Sequence, residues 1–494
     1  MHSSLWLIAA IFTPIVVSLV SVAVPSLAPR MRTLGIVTAA VQLGFSLALW
    51  PLYGSHSGFD FVSRHSLARS WGLSFDVGVD GISLFLVILT ALVTLLALLG
   101  ANEEKNNAAF VRWVLLLSGA TAGAFATRDL LVFFLFFELT LIPSYFLISQ
   151  WGRAQARAAA MKFFVYTLFG SGFLLVGMIY LAVRHQHQVG GSLSFAYSAL
   201  SHTVVSPAVA TWVLVGFLIA FGVKSPLWPL HTWSPSAYSE APTAGSMMLS
   251  ALLAKLGTYG LLRFGVLILP AGVDRVRPYV MTLAVIGILY GSALAAVSKD
   301  LKKLVAYSSL AQVGFIILGL FSGSLTALNG AVLLMFNHGV ITAAMFLLIG
   351  FVERRRGTSE IAALKGLQAP APVLAGLFTL VMLGSIGLPG LNGFVSEFLI
   401  LLGSFQSHPW WAAIATTGVI FAALYLLWAY QRVFHGEADE PNAAISDATR
   451  SERLVLVPLC VLIVVAGVLP SLFLKPIGAS VHHVAPATSQ EAGR

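Results

Sequence analysis

Apolar runs long enough to cross a lipid bilayer succeed one another along nearly the whole of this 494-residue chain. A helix needs roughly 20 apolar residues to span the hydrocarbon core. Fourteen candidate runs meet that length: 5–24, 32–51, 78–100, 110–126, 129–149, 157–183, 208–230, 241–264, 278–297, 301–321, 326–351, 372–402, 411–433 and 452–473. Charged residues make up 10% of the chain, against about 25% in a soluble domain. The sequence therefore predicts one all-α integral membrane domain over 1–494, with about fourteen transmembrane helices.

The net charge of +9 does not point to nucleic acid. The basic residues sit mostly in short loops between apolar runs, which is how membrane proteins set their orientation. With the N-terminus outside, the inner loops hold seventeen Lys and Arg, among them Arg30, Lys105, Arg153, Lys302 and Arg354–Arg356. The outer side holds nine, among them Arg64, Arg69, Arg128, Arg263 and Arg494. An even number of spans places both termini on that outer face of a bacterial inner membrane. No Lys or Arg precedes the run Leu5–Val24, and Arg30 and Arg32 follow it. A cleaved signal has the reverse order, so a retained first helix is expected. The single cysteine, Cys460, lies in an apolar run and is read as packing. The outer segment 52–77 is polar and long enough for a short hairpin. The acidic linker 434–451 is read as a solvated inner loop.

Two runs carry helix breakers at membrane depth, Gly222-Val223-Lys224-Ser225-Pro226-Leu227-Trp228-Pro229 and Gly387-Leu388-Pro389-Gly390-Leu391-Asn392-Gly393. Proline removes a backbone donor and clashes with the preceding turn. Lipid cannot satisfy the groups so freed, so such breaks must face protein or water. The two lie five helices apart. Helices 4–8 (110–264) and 9–13 (265–433) would then form two five-helix repeats of inverted topology, as in many ion transporters. Helices 1–3 (1–109) precede them, and an inner loop with a last helix (434–494) follows. Two unrelated proline kinks are the plainer alternative.

Four ionisable residues fall inside these runs: Glu138, Lys224, Lys255 and Glu397, in the order acid, base, base, acid. A charge at the bilayer centre costs about 2.5–3.5 kcal/mol on insertion scales, so each is a functional candidate. Burial disfavours a charged lysine and a nearby carboxylate restores it. A Glu138–Lys224 pair of variable separation could therefore switch a lysine between holding and releasing a proton; a static buried ion pair is the alternative. His231, seven residues after Lys224, and His338 are candidate proton relays, or else helix–helix hydrogen bonds. His185, His187, His482 and His483 fall in polar outer segments and are read as solvated. No dinucleotide loop, P-loop or cysteine framework is present, so any redox centre would sit on another chain.

The stretch FGVKSPLWPLHTWSPSAYSEAPTAGSMMLSALLAKLGTYGLLRF (221–264) resembles the signature of the antiporter-like subunits of respiratory complex I, relatives of Mrp-type cation/proton antiporter subunits. SKDLKKLVAYSSLAQVGF (298–315), GLPGLNGFVSEF (387–398) and FFELTLIPSYFLI (137–148) extend the resemblance over helices 4–13. Within that family the L and N branches place a lysine in the twelfth helix and the M branch a glutamate, so Glu397 points to the M branch. The resemblance implies Glu138 and Lys224 as a coupling ion pair, Lys255 as the central proton carrier, Glu397 as the terminal site, and His231 and His338 as relays. It implies neighbouring L- and N-type membrane subunits as partners. It places NADH, FMN, iron–sulfur clusters and quinone on partner subunits, with none bound by this chain and no metal site. Two departures stand out. Ala311-Gln312 replaces a Ser-His pair, and Tyr238 replaces a histidine. Gln312 cannot titrate, so water or another side chain would have to bridge there. An Mrp-type sodium/proton antiporter subunit, a hydrogenase-linked membrane subunit and an inactive scaffold are the competing readings.

Overall fold

A computed structural model of the protein describes residues 4–54, 57–100 and 107–484. Lys105 and Arg494, two of the charges weighed above, lie outside the described residues, as do the side chains of Arg69 and His483.

Leu5–Ala23 (α1) and Met31–Leu52 (α2) open the chain, joined by a 3-10 turn over Pro25–Arg30. The short hairpin expected in the polar segment 52–77 then follows, its second strand reaching Val79. Asp60–Ala68 (β1) and Leu73–Val79 (β2) pair antiparallel, with Arg64 opposite Asp76 and His65 opposite Phe75. Gly72 turns between them at φ +68, a left-handed conformation that glycine adopts without steric cost.

Leu84–Gly100 (α3), Asn107–Ala126 (α4), Leu130–Leu139 (α5), Leu141–Trp151 (α6) and Ala156–Val189 (α7) follow. The single run predicted over 129–149 is thus two helices. Pro143 cannot donate to the carbonyl of Leu139 and its ring crowds it, and α5 ends at Leu139. A short turn of helix, Tyr197–Leu200 (α8), leads to Pro207–Lys224 (α9), which Ser206 caps. Ser234–Glu240 (α10) and Thr243–Met248 (α11) come next. A π-helical stretch, Leu249–Leu253, precedes Ala254–Gly260 (α12), and a second, Leu261–Val266, follows it.

The second half contains Pro270–Ala296 (α13), Leu301–Phe321 (α14), Leu325–Arg356 (α15), Pro372–Ile386 (α16), Asn392–Ser407 (α17) and Pro409–Phe434 (α18). Glu440–Ala443 (α19), Arg450–Val468 (α20) and Ser471–Val484 (α21) complete it. The run predicted over 452–473 therefore stops at Val468, before Pro470, and a further helix follows. Among the described residues eleven helical segments are long and apolar enough to cross a membrane, and Leu84–Gly100 and Pro372–Ile386 are shorter apolar helices.

α14 and α15 form the centre: the apolar window of α15 is wholly buried and that of α14 nearly so, whereas two thirds of the windows of α1 and α20 are not. Both predicted breaks are real. α9 ends at Lys224, and α16 is separated from α17 by Gly387–Leu391, with Gly387 and Gly390 left-handed. At Gly393 a Cβ would sit 2.1 Å from the carbonyl oxygen of Gly384. Gly393→Ala is expected to push α16 and α17 apart and sharply reduce the assembled protein recovered from membranes. Native yield and melting temperature would contradict this.

Two ends of the molecule are distinct. At the hairpin end, β2 bonds to the α4–α5 junction through Arg128 N to Asp76 O, and Gly81 N donates to Ser480 Oγ of α21. At the opposite, basic end, Arg153 donates to Glu353 and Asp300, and Lys302 pairs with Glu353 at 2.9 Å. These contacts join α6, α14 and α15. Lys302, expected in a loop, is 2% exposed. The linker 434–451 is mostly exposed, as a solvated loop is, but is anchored at a few points. Asn442 is buried, Arg355 pairs with Glu452, and Asp447 accepts from Val373 N and Leu374 N. Partial burial works against the ionised Asp447, but those N–H donors and Arg355 prevail and hold its carboxyl below the usual carboxylate range.

Candidate functional site

Five of the six sequence-predicted residues sit on α5, α9, α12, α15 and α17, His231 lies in the turns between α9 and α10, and the structure joins them unequally. Lys224 is the last residue of α9 and is 1% exposed. Its Nζ donates to Thr140 Oγ1 at 3.0 Å and lies 4.5 Å from the centre of the Phe137 ring. Thr140 is the residue at which the α5–α6 helix breaks. The break that brings Thr140 to Lys224 follows from Pro143, a signal present in the sequence and not used.

Glu138 is half-buried at the lateral surface, beside the 52% exposed Leu135. No ion pair within 4.0 Å joins it to Lys224 among the described residues. The two remain electrostatic neighbours, with Ser171 of α7 within reach of the Glu138 carboxylate. The expected pair is therefore held open, with a hydroxyl and an aromatic face on the lysine in place of the carboxylate.

Lys255 is 1% exposed on α12, between the two π-helical stretches. Its Nζ donates to His338 Nδ1 at 2.7 Å and to the carbonyl of Ser250 at 2.7 Å. The second bond runs five residues back. A π-turn shifts backbone bonds from i−4 to i−5, as Ala254 N to Leu249 O shows, and such turns recur at functional sites. Gly257 lets α9 press against α12: a Cβ there would lie 2.6 Å from Ser225 N. The ends of α9 and α12 that carry the two lysines are thus in direct contact.

From Lys255 the polar groups run sideways into the second half. Ser250 Oγ lies 3.2 Å from Ser309 Oγ on α14. Tyr425 of α18 donates to Ser308 Oγ at 2.8 Å. One turn along α14, Gln312 Nε2 donates to Glu397 Oε1 at 2.7 Å. Glu397 is 5% exposed, and a Cβ on Gly387 would stand 2.7 Å from its Oε2, so the α16–α17 break lies directly against the carboxylate. Asn337, beside His338, donates to the carbonyl of Asn392 and ties α15 to the start of α17. Thr140, Ser250, Ser308, Ser309 and Tyr425 escaped sequence reasoning, because single hydroxyl residues in apolar helices carry no spacing signal.

His231 stands apart. It is 4% exposed in the turns after Lys224, its ring edge-on to Tyr290 with centres 5.2 Å apart, and its Nδ1 has no partner. No hydrogen bond links it to either lysine among the described residues. Tyr238 packs against Trp233 and Phe346. His185 bonds Thr203, and His482 is exposed. Among the described residues no group of three His, Cys, Asp or Glu could hold a metal ion.

Residues 127–422, which carry every residue of this series except Tyr425, match the family model for the membrane-spanning part of NADH:quinone oxidoreductase and Mrp antiporter subunits. The chain belongs to that family. Its similarity to NADH-quinone oxidoreductase subunit M of Rhodobacter capsulatus is 38% identity over 91% of this chain and 90% of that one. With subunit M of Mycobacterium tuberculosis it is 34% over 99% and 96%. Respiratory complex I from Thermus thermophilus contains a chain of the same fold, with TM-score 0.87, 32% identity and coverage of 97% of this chain and 100% of that one. A chain of the Mrp complex from Dietzia shares the fold at TM-score 0.85 and 22% identity, covering 98% of each. The family signature read at 221–264 thus contains the end of α9, the unwound turns and α12, which together carry Lys224 and Lys255.

Proposed function

We propose that this chain is the M-type, proton-translocating subunit in the membrane arm of an NADH:quinone oxidoreductase. NADH, FMN, iron–sulfur clusters and quinone belong to partner subunits, and L- and N-type membrane subunits flank this one. The supporting observation is the buried 2.7 Å contact between Lys255 Nζ of α12 and His338 Nδ1 of α15. A lysine that bonds a titratable acceptor can pass its proton on without crossing lipid.

In this reading Lys255 carries the proton at the centre. His338 takes or returns it, and Glu397 is the terminal acceptor. Ser250, Ser309, Ser308 and Tyr425 bridge the stretch where Gln312 stands in place of a titratable histidine. His231, next to the unwound turns, serves entry to Lys224. Glu138 and Lys224 act as the coupling pair. At an effective dielectric of about 20, a carboxylate 4 Å from an ammonium gains about 4 kcal/mol, and about half that at twice the distance. Closing or opening the gap thus changes how firmly Lys224 holds its proton by an amount sufficient for a switch.

The fourteen-span topology, with inverted repeats over 110–264 and 265–433, fits the two broken helices. It places the hairpin end outside and the basic end, with Arg153 and Lys302, in the cytoplasm of a bacterial inner membrane. Both termini then face outward.

Glu138→Gln removes the carboxylate charge at a half-buried site. In the complex purified with its native partners and reconstituted in proteoliposomes, it should lower proton uptake per NADH oxidised by about threefold, the effect of some 0.7 kcal/mol of coupling. Co-purification without any redox subunit, or native uptake, would sink the assignment.

A further inference from the structure

Among the described residues, the hydrogen-bond partners of Lys255 Nζ are Ser250 O and His338 Nδ1. Toward the hairpin end of its own helix, the next eight residues rise about 12 Å to Arg263. Leu256, Leu261 and Leu262 on that stretch are fully buried, Thr258 Oγ1 donates back to the Lys255 carbonyl, and the Tyr259 hydroxyl is bonded to Phe125 O. Among the described residues no hydrogen bond links Lys255 Nζ to a side chain on this stretch.

Arg263, counted from sequence as an outer-side loop charge, closes this route. It is 1% exposed and its Nη2 donates to Asp80 Oδ2 at 2.6 Å. Asp80 is 1% exposed and uses its other oxygen to accept from Ile82 N, Ser83 N and Ser83 Oγ. The guanidinium carbon stands 5.0, 5.7 and 5.5 Å from the ring centres of Phe59, Tyr197 and Tyr259. The Tyr197 and Tyr259 hydroxyls lie within side-chain hydrogen-bond reach of the guanidinium, while Arg263 Nε and Nη1 make no well-aligned hydrogen bond among the described residues. Outside it, Arg128 and Asp76 pair at 3.6 Å, with the Arg128 guanidinium carbon 4.6 Å from the centre of the same Phe59 ring.

We infer that the Asp80–Arg263 pair in its aromatic cage is the proton seal at the hairpin end of the first unit, so that a proton on Lys255 leaves only sideways toward Glu397. The inference rests on the proposed role of Lys255. The seal works because two opposite charges in contact admit neither water nor a free proton, and a permanently charged guanidinium repels a hydronium ion. Removing one partner leaves an uncompensated buried charge and draws water into the cage.

The test measures passive proton permeability of proteoliposomes holding the assembled complex, without NADH and under an imposed pH gradient. Asp80→Asn keeps the oxygen that accepts from Ser83 and removes the charge. It should raise permeability about threefold or more, as should Arg263→Met. The double replacement Asp80→Leu with Arg263→Met restores a charge-free plug and should return it toward native. Adding Lys255→Ala to Asp80→Asn should abolish the leak if it runs through that lysine. Native permeability in both single variants, or a double as leaky as the singles, overturns the seal. A purely structural pair would change yield and leave permeability per complex unchanged. A leak in Asp80→Asn together with normal pumping in Lys255→Ala would keep the seal and remove the assignment of Lys255.

Discussion

Lys255→Ala is expected to leave a complex that assembles, binds its partners and pumps at least about tenfold less, the consequence of losing some 1.4 kcal/mol or more from a proton-transfer step. The reason is positional. Lys255 Nζ makes two 2.7 Å contacts, to His338 Nδ1 and Ser250 O, and no other cationic side chain touches that imidazole among the described residues. Lys255→Arg sharpens the test. Arginine keeps the charge and is effectively never deprotonated, so it should fail as thoroughly as alanine if the lysine must release a proton. If charge alone were needed, arginine would restore activity. Proton uptake and NADH oxidation measured together in proteoliposomes decide between these, and near-normal uptake in Lys255→Ala would remove the residue from the path.

Glu397→Gln should cost a comparable factor, about tenfold. The amide preserves shape and can still bond Gln312, but it can neither accept nor release a proton. Glu397→Lys is expected to retain part of the activity. A lysine there also titrates, but its protonated form is a buried cation, which costs about 2.5–3.5 kcal/mol near the bilayer centre, whereas a protonated glutamate is neutral. The expected order is native, then lysine, then glutamine. Equal activity of the glutamine variant and the native complex in the proton-uptake assay would show that the terminal site lies elsewhere.

The limits of sequence reading follow from what each signal reports. Proline and glycine act on their own backbone, so the breaks at Lys224 and Gly387–Leu391 were legible, and the break at Thr140 would have been had Pro143 been read by the same rule. Buried charges announce themselves because the bilayer penalises them, which is why Glu138, Lys224, Lys255 and Glu397 stood out. Partners do not announce themselves. Nothing in the run of residues indicated that Lys224 meets Thr140 and the Phe137 ring while Glu138 stays beyond ion-pair distance. Nor did it show that His338 bonds Lys255 while His231 faces Tyr290. Arg263 and Lys302 were read as loop charges because each lies near the end of an apolar run, yet Asp80 and Glu353 neutralise them inside the protein.

By itself, then, the sequence determined the class of molecule, the places where its helices must break, and the series of ionisable groups the membrane has to tolerate. Those are properties of single residues and their immediate neighbours in the chain. Only the tertiary structure decided which groups touch. Packing α12 against α9, α14 and α15 brought isolated charges and inconspicuous hydroxyls into a series of buried polar contacts, and placed Asp80 on Arg263 across 183 residues of chain. Hydrogen bonds and charge pairing act over a few ångströms, and which residues come that close is fixed by how the helices pack.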